Sequence, residues 1–344
     1  AARSRSMRRM RSTPSSTPYA TLTPDAVLDA VESLGFASDG RVLALNSYEN
    51  RVFRIGQENG PPVIAKFYRP GRWSDAAILE EHAFATELRD QAELSVVAPL
   101  AIDGRTLHAS GGHRLALFPS QGGHAPELDN RATLEHMGRV LARLHACGAR
   151  TRFQHRPTLD IERFGREPVR FLLAAGWLPS HLEGSFKRLA EALLLEIERA
   201  FARAGNVTQL RLHGDCHPGN ILWRDDRAHL VDLDDCLTGP ALQDLWMFLS
   251  GERAEQEQQL GWLLEGYRMF ARFDARELQL VEALRALRLL HYHAWIARRW
   301  DDPAFPAAFP WFAEPRHWEG VITQVQEQLA AMAEPALEMP LTEH

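Results

Sequence analysis

Lys66, Asp215, Asn220 and Asp232 are the residues whose types and order along this chain could handle a polyphosphate and a metal ion. Phosphoryl transfer asks little covalent chemistry of a protein. It needs metal ions bridging the phosphates, a cation on the nucleotide and a carboxylate near the attacking hydroxyl. Lys66 closes the string Val63-Ile64-Ala65-Lys66. Taken alone it reads as an edge or snorkelling lysine, because a charge on an interior strand is costly unless paired. The helix that follows offers a partner in Glu81, favoured by its spacing before that helix's apolar positions, with Glu80 as the alternative. Strand, lysine, helix and glutamate together read as a pair that holds the α- and β-phosphates.

The second part is His213-Gly214-Asp215-Cys216-His217-Pro218-Gly219-Asn220. A loop of Asp, Gly, Pro and Asn also describes an ordinary turn. Its Asp-to-Asn spacing of five, however, is that of a kinase catalytic loop. Asp215 is expected to take the proton of the acceptor hydroxyl, and the amide oxygen of Asn220 to bind Mg²⁺, a cation that prefers oxygen ligands. The third part is Asp232 in Leu230-Val231-Asp232-Leu233-Asp234-Asp235, at the end of a short apolar strand. Asp232 is the expected metal ligand, Asp234 a weaker accessory, and Asp235 a cap. Lys66, Asp215, Asn220 and Asp232 in this order point to Mg²⁺ and ATP.

Other chemistries fit these residues less well. His213 and His217 stand four apart, but a loop with Gly and Pro lacks the helical geometry of a two-histidine zinc pair. His213 is expected to brace the loop, Asp244 to brace it from a helix start, and Cys216 and Cys236 to be buried, inert thiols. The Trp- and Arg-rich stretch of Trp295, Arg298, Arg299, Trp300 and Trp311 reads as core and lobe packing.

These residues need a scaffold. Residues 24–35 carry a helical apolar spacing behind Pro24. Residues 41–45, 50–55 and 62–68 are short and rich in Val, Ile, Leu and Phe, and read as a three-stranded antiparallel meander. A helix is expected over 74–88, with Ser74 or Asp75 as its N-cap and Ile78, Phe84 and Leu88 inside. Two more strands are expected at 106–109 and 114–118. Beyond Gly123 the texture is helical. Apolar stripes run through Leu134, Met137, Val140, Leu141 and Leu144, through Phe186, Leu189, Leu193, Ile197 and Phe201, and through Leu280, Leu284, Leu287 and Tyr292. Short strands at 209–213 and 229–233 flank the catalytic loop. The expected fold is α+β and bilobal: a flexible tail over 1–18, a β-rich lobe over 19–118, a larger helical lobe over 119–335 and a tail over 336–344. Ligands are expected in the cleft between the lobes.

Composition leaves this reading open and closes others. The 344 residues are 45% hydrophobic and 24% charged, ordinary for a globular protein, and the net charge of −6 favours neither nucleic acid nor an anionic membrane. Residues 1–20 hold five arginines and no acid, without the apolar core of a secretory signal. No apolar run reaches the roughly 18 residues of a membrane span. Three cysteines are too few for a disulfide framework, so a reduced, cytoplasmic protein is expected.

At these residues the chain resembles the aminoglycoside phosphotransferase and choline kinase branch of the kinase-like superfamily. That branch carries His-Gly-Asp-x-x-x-x-Asn where most eukaryotic protein kinases have His-Arg-Asp. Longer strings are similar to a family of serine/threonine protein kinases of Gram-negative bacteria that supports survival under envelope and oxidative stress. They include residues 45–52, Lys66-Phe67-Tyr68-Arg69-Pro70, Glu80-Glu81-His82, residues 212–223, Gln243-Asp244-Leu245-Trp246-Met247 and Asp302-Pro303-Ala304-Phe305-Pro306, and the likeness runs from about 20 to 335. The resemblance implies that Asp215 is the proton acceptor, that Asn220 and Asp232 bind Mg²⁺, and that Ser47 contacts ATP. It also implies a cytoplasmic monomer that phosphorylates Ser or Thr of a protein, itself included. Two features depart from ordinary protein kinases. Asn46-Ser47-Tyr48-Glu49-Asn50 contains no glycine, so the Ser47 hydroxyl and backbone N–H groups must meet the phosphates. Asp232-Leu233-Asp234 replaces Asp-Phe-Gly, so no activation-loop switch is expected. The catalytic motif would equally serve a small-molecule kinase acting on an aminoglycoside, choline or another hydroxylated metabolite.

Overall fold

Period-two alternation along the β-rich part sorts its side chains onto two faces of one sheet. The computed structural model describes residues 18–339; residues 1–17 of the expected tail over 1–18, and residues 340–344, lie outside the described residues. Helix α1 (Pro24–Glu32) opens where the Thr23 hydroxyl accepts the N–H of Ala26. Strands β1 (Ser38–Ala44), β2 (Arg51–Gln57) and β3 (Val63–Phe67) form the expected meander. Helix α2 (Asp75–Asp90) follows, capped by Ser74, and strands β4 (His108–Ser110) and β5 (His113–Pro119) complete an antiparallel sheet of order β1-β2-β3-β5-β4. Ala65, Phe67, Leu115 and Leu117 bury one face against Val27 and Val31 of α1. Lys66, level with Ala116 of β5, belongs to the opposite face, on the side where Tyr68, Ile78 and Ala116 cluster.

The rest is mainly helical. It runs through α3 (Arg131–Gly148), α4 (Glu167–Ala174), α5 (Ser180–Ala204), α6 (Leu242–Leu245), α7 (Arg253–Tyr267), α8 (Val281–Arg298), α9 (Ala304–Ala308) and α10 (Pro315–Ala331). The α3 stripe is buried as expected, and α3 meets α7 through Gly138 and Gly266, where a Cβ would lie about 2 Å from backbone of the facing helix. Tyr292, assigned to a core stripe, is instead exposed, because α8 turns that part of its surface to a cleft. Phe84, Ala85 and Leu88 of α2 join the core of the helical part, so α2 belongs to both lobes. The fold is the expected α+β, bilobal, kinase-like one. Residues 335–339 do not hang free: Arg253 donates to the carbonyls of Pro335 and Ala336, and Glu338 N–H meets Glu257.

The strands beside the catalytic loop are more elaborate than expected. The segments at 209–213 and 229–233 do not pair with each other. β6 (Leu210–Leu212) pairs with β9 (Leu237–Gly239), and β7 (Ile221–Arg224) makes a hairpin with β8 (Arg227–Leu230). Asp225 and Asp226, both at positive φ, form the two-residue turn that suits such a hairpin.

Candidate active site

The β7–β8 hairpin brings together Asn220 and Asp232, the two expected metal ligands. Its register sets Ile221 opposite Leu230, so Asn220 and Val231 leave the hairpin side by side, joined by Val231 N–H to Asn220 O at 3.1 Å. Asp232 is the next residue. It is held in the left-handed region at φ 57°, ψ 64°, a conformation non-glycine residues adopt at a cost of about 1–3 kcal/mol, and half of its side chain is open to solvent. The Asn220 amide donates to Asp215 O at 3.0 Å, which leaves its amide oxygen available to a cation.

Lys66 reaches this point from β3. Its Nζ lies 3.4 Å from Glu81 Oε1, 3.1 Å from Asp232 Oδ1 and 3.1 Å from Asp234 Oδ1. Burial alone would lower the Lys66 pKa, but Asp234, Glu81 and Asp232 outweigh it and hold the ammonium well above the usual lysine range. Glu81 shows the reverse: burial pushes its carboxyl up to about 7 against the pull of Lys66. Glu80 turns away and accepts the backbone N–H groups of Gln154, His155 and Arg156. Asp234, buried, is also paired with Arg72, which reaches Asp235 too. Among the described residues no group of three or more His, Cys, Asp or Glu could hold a metal unaided. Asn220 and Asp232 supply two oxygen donors on one side, a set that suits Mg²⁺ completing its shell with phosphate oxygens and water.

The Asp215 loop is built from below. Gly214, at φ +86°, runs so close to Asp235 that a Cβ would sit 2.2 Å from its carbonyl oxygen. The buried Asp244 carboxylate accepts the N–H groups of His213 and Gly214, each at 2.8 Å, and His213 Nε2 contacts Val231 O at 2.9 Å. His217 Nδ1 accepts the N–H of Gly219, so both histidines serve the loop. The Asp215 carboxylate faces the cleft, where Arg288 of α8 bonds it. Burial would raise the Asp215 pKa, but Arg288 and then His217 hold it below the usual carboxylate range. Cys147, Cys216 and Cys236 are buried and unpaired, and burial pushes the Cys216 and Cys236 thiols up.

Ser47 lies in the β1–β2 turn and donates its hydroxyl to Asn50 O at 3.1 Å, closing the turn. That turn is tied to the helical lobe. Glu49 accepts from Trp295 Nε1 at 2.7 Å and pairs with Arg299, while Asp302 binds Arg51 at 3.0 Å and Arg69 at 2.7 Å. The sequence reading missed Arg72, Arg156, Arg288 and Asp302. The acids at 232, 234 and 235 were the signal for Arg72, since a buried acid such as Asp234 needs a cation, whereas Arg156 bonds the backbone carbonyls of Asp234 and Cys236 and lies 4.0 Å from Glu81. Nothing local marked Arg288.

A five-stranded antiparallel sheet over a helical lobe, with a buried lysine of the sheet held against aspartates of the helical lobe, is the setting of a phosphotransferase. A family model described as "Phosphotransferase enzyme family" matches residues 41–281, and the chain belongs to that family. It is 43% identical over 321 residues to "Stress response kinase A" of Escherichia coli strain K12, covering 93% of this chain and 97% of that protein. The same figures hold for "Serine/threonine protein kinase RdoA" of Salmonella typhimurium strain LT2. Among solved structures, "Amicoumacin kinase hAmiN in complex with AMP-PNP, Ca2+ and Ami" has a TM-score of 0.65 at 17% identity, covering 85% of this chain and 92% of its own, a likeness of fold.

Proposed function

We propose that this kinase is a Mg²⁺·ATP-dependent serine/threonine protein kinase of a bacterial stress response, acting in the cytoplasm as a monomer and phosphorylating itself among other proteins. The observation that carries the reading is Lys66 of the β-rich lobe gathered with Glu81 of α2 and with Asp232 and Asp234 of the helical lobe, the lobe that also presents Asp215 to the cleft. Lys66 would bind the nucleotide's phosphates, with Glu81 as its anchor in the β-rich lobe. Asn220 and Asp232 would hold Mg²⁺, which when bound neutralises phosphate charge. Ser47 and the backbone of its turn would close over the phosphates. Asp215 would take the acceptor's proton as the acceptor oxygen bonds phosphorus and the bond to the ADP oxygen breaks.

The names of the relatives support a protein acceptor, and so does the cleft in front of Asp215. It has a volume of about 1340 Å³ and is open to solvent, with arginines 163, 166, 288, 298 and 299 in its walls. A cationic aminoglycoside or choline would find few unengaged carboxylates there. The test offers labelled ATP to the protein alone, to generic protein acceptors and to a panel of small hydroxylated molecules. Transfer to protein Ser or Thr is expected, and Asp215→Ala should cut it by about 10²–10⁴-fold, the scale of a general base, while still binding nucleotide. Transfer confined to small molecules, or an undiminished rate in Asp215→Ala, refutes the reading.

A further inference from the structure

Asp215 is engaged on the side from which an acceptor must approach. Its carboxylate bonds Arg288, and the face of α8 that carries Arg288 continues along the cleft through His291, Arg298 and Arg299. Facing it is a π-helical turn, Glu162–Arg166, a local widening that recurs at functional sites. Gly165 fits this turn against α5 and α8, where a Cβ would come within 2.7 Å of Leu194 and 2.9 Å of Leu287. The Phe164 ring lies 4.8 Å from His291, one helical turn from Arg288. The π-turn therefore sits against the part of α8 that reaches Asp215.

The turn presents Arg163. Its neighbours are satisfied: Arg166 pairs with Glu162 and Glu198, Arg298 with Glu167, Arg299 with Glu49. Arg163 is exposed and lines the cleft; its backbone N–H bonds Asp160, but among the described residues its guanidinium pairs with no carboxylate within 4.0 Å. The cationic field is felt by His291, whose pKa is pushed down to about 3 by burial and then by Arg298, Arg299, Arg163 and Arg72.

We propose that Arg288 is a positioning residue that occupies Asp215 until an acidic side chain of the acceptor takes its guanidinium, and that Arg163 receives a second one, so that the preferred acceptor is a polypeptide Ser or Thr flanked by Asp or Glu. This rests on the protein-kinase reading above. Exchange of Arg288 from Asp215 to the acceptor frees the carboxylate to take the hydroxyl proton, so recognition and activation become one event. The phosphoryl group then passes to that oxygen from ATP, leaving ADP.

The test compares three Ser peptides identical except for acidic, neutral or basic flanks. Wild type should prefer the acidic peptide over the neutral one by about tenfold in kcat/KM for each charged hydrogen bond gained. Arg163→Glu should lower the acidic-to-basic ratio by at least about tenfold, through KM, while Arg163→Lys retains it. Arg288→Gln removes the guanidinium that an acidic flank would take from Asp215, so the acidic-to-neutral ratio in kcat/KM should fall towards one, while Arg288→Lys retains part of it. Equal use of the three peptides, or an undiminished acidic preference in Arg288→Gln, overturns this inference and leaves the protein-kinase reading standing. Transfer to small hydroxyl compounds with none to any peptide removes both.

Discussion

Glu81→Gln separates the cost of burying a charge from the benefit of pairing it. Glu81 is 3% exposed, 3.4 Å from Lys66, and its Oε2 has no hydrogen-bond partner. Its carboxyl is raised from 4.5 to about 7, burial outweighing Lys66. A folded pKa above the unfolded one means the native state binds the extra proton between those values. The favourable contribution is complete below pH 4.5 and is lost as pH rises through 7. At about 1.4 kcal/mol per pH unit, ionising Glu81 costs the folded protein about 3 kcal/mol at pH 8. The amide keeps the shape and removes the charge, and Lys66 retains Asp232 and Asp234. Urea unfolding should therefore show Glu81→Gln more stable than wild type by about 3 kcal/mol at pH 8, with the difference closing towards pH 4.5. Kinase activity should nonetheless fall, because Lys66 loses its anchor on α2. If the pair is net favourable, breaking it would instead cost about 3–5 kcal/mol at pH 8. A variant less stable than wild type at that pH would refute the argument by the sign alone.

Two further perturbations address the metal side and the tie between the lobes. Asp232→Ala should weaken nucleotide binding in a Mg²⁺ titration and leave binding without Mg²⁺ little changed; equal affinities with the metal present would remove Asp232 as its ligand. Asp302→Ala strips the buried partner of Arg51 and Arg69, so it should destabilise the protein by about 3–5 kcal/mol in a urea titration. It should also raise the KM for ATP by loosening the Ser47 turn, and a loss below about 0.5 kcal/mol would show that these arginines find water instead.

Much of the arrangement was legible along the chain. The three-stranded meander, α2 with its Ser74 cap and the α3 stripe follow from periodicity and capping, which are local properties. The Asp-to-Asn spacing of the 213–220 loop is likewise local. The β7 and β9 strands were not legible, because at three or four residues they carry too little pattern to stand out from a loop. Tyr292 was misread for a related reason: helical spacing says which residues share a face, and only the neighbour decides whether that face meets core or cleft.

Sequence alone determined that a lysine, an Asp-to-Asn loop and a second aspartate lie in the order of a phosphotransferase, and favoured Glu81 over Glu80 without excluding the latter. Tertiary structure decided that choice, since the way α2 packs on the helical core turns Glu81 to Lys66 and Glu80 to the backbone of 154–156. It alone brought Arg288 to Asp215, across 73 positions of chain. The physical reason is range. Propensity, capping and turn chemistry act within a few residues, whereas the charge environment of a carboxylate depends on whichever helix packs beside it.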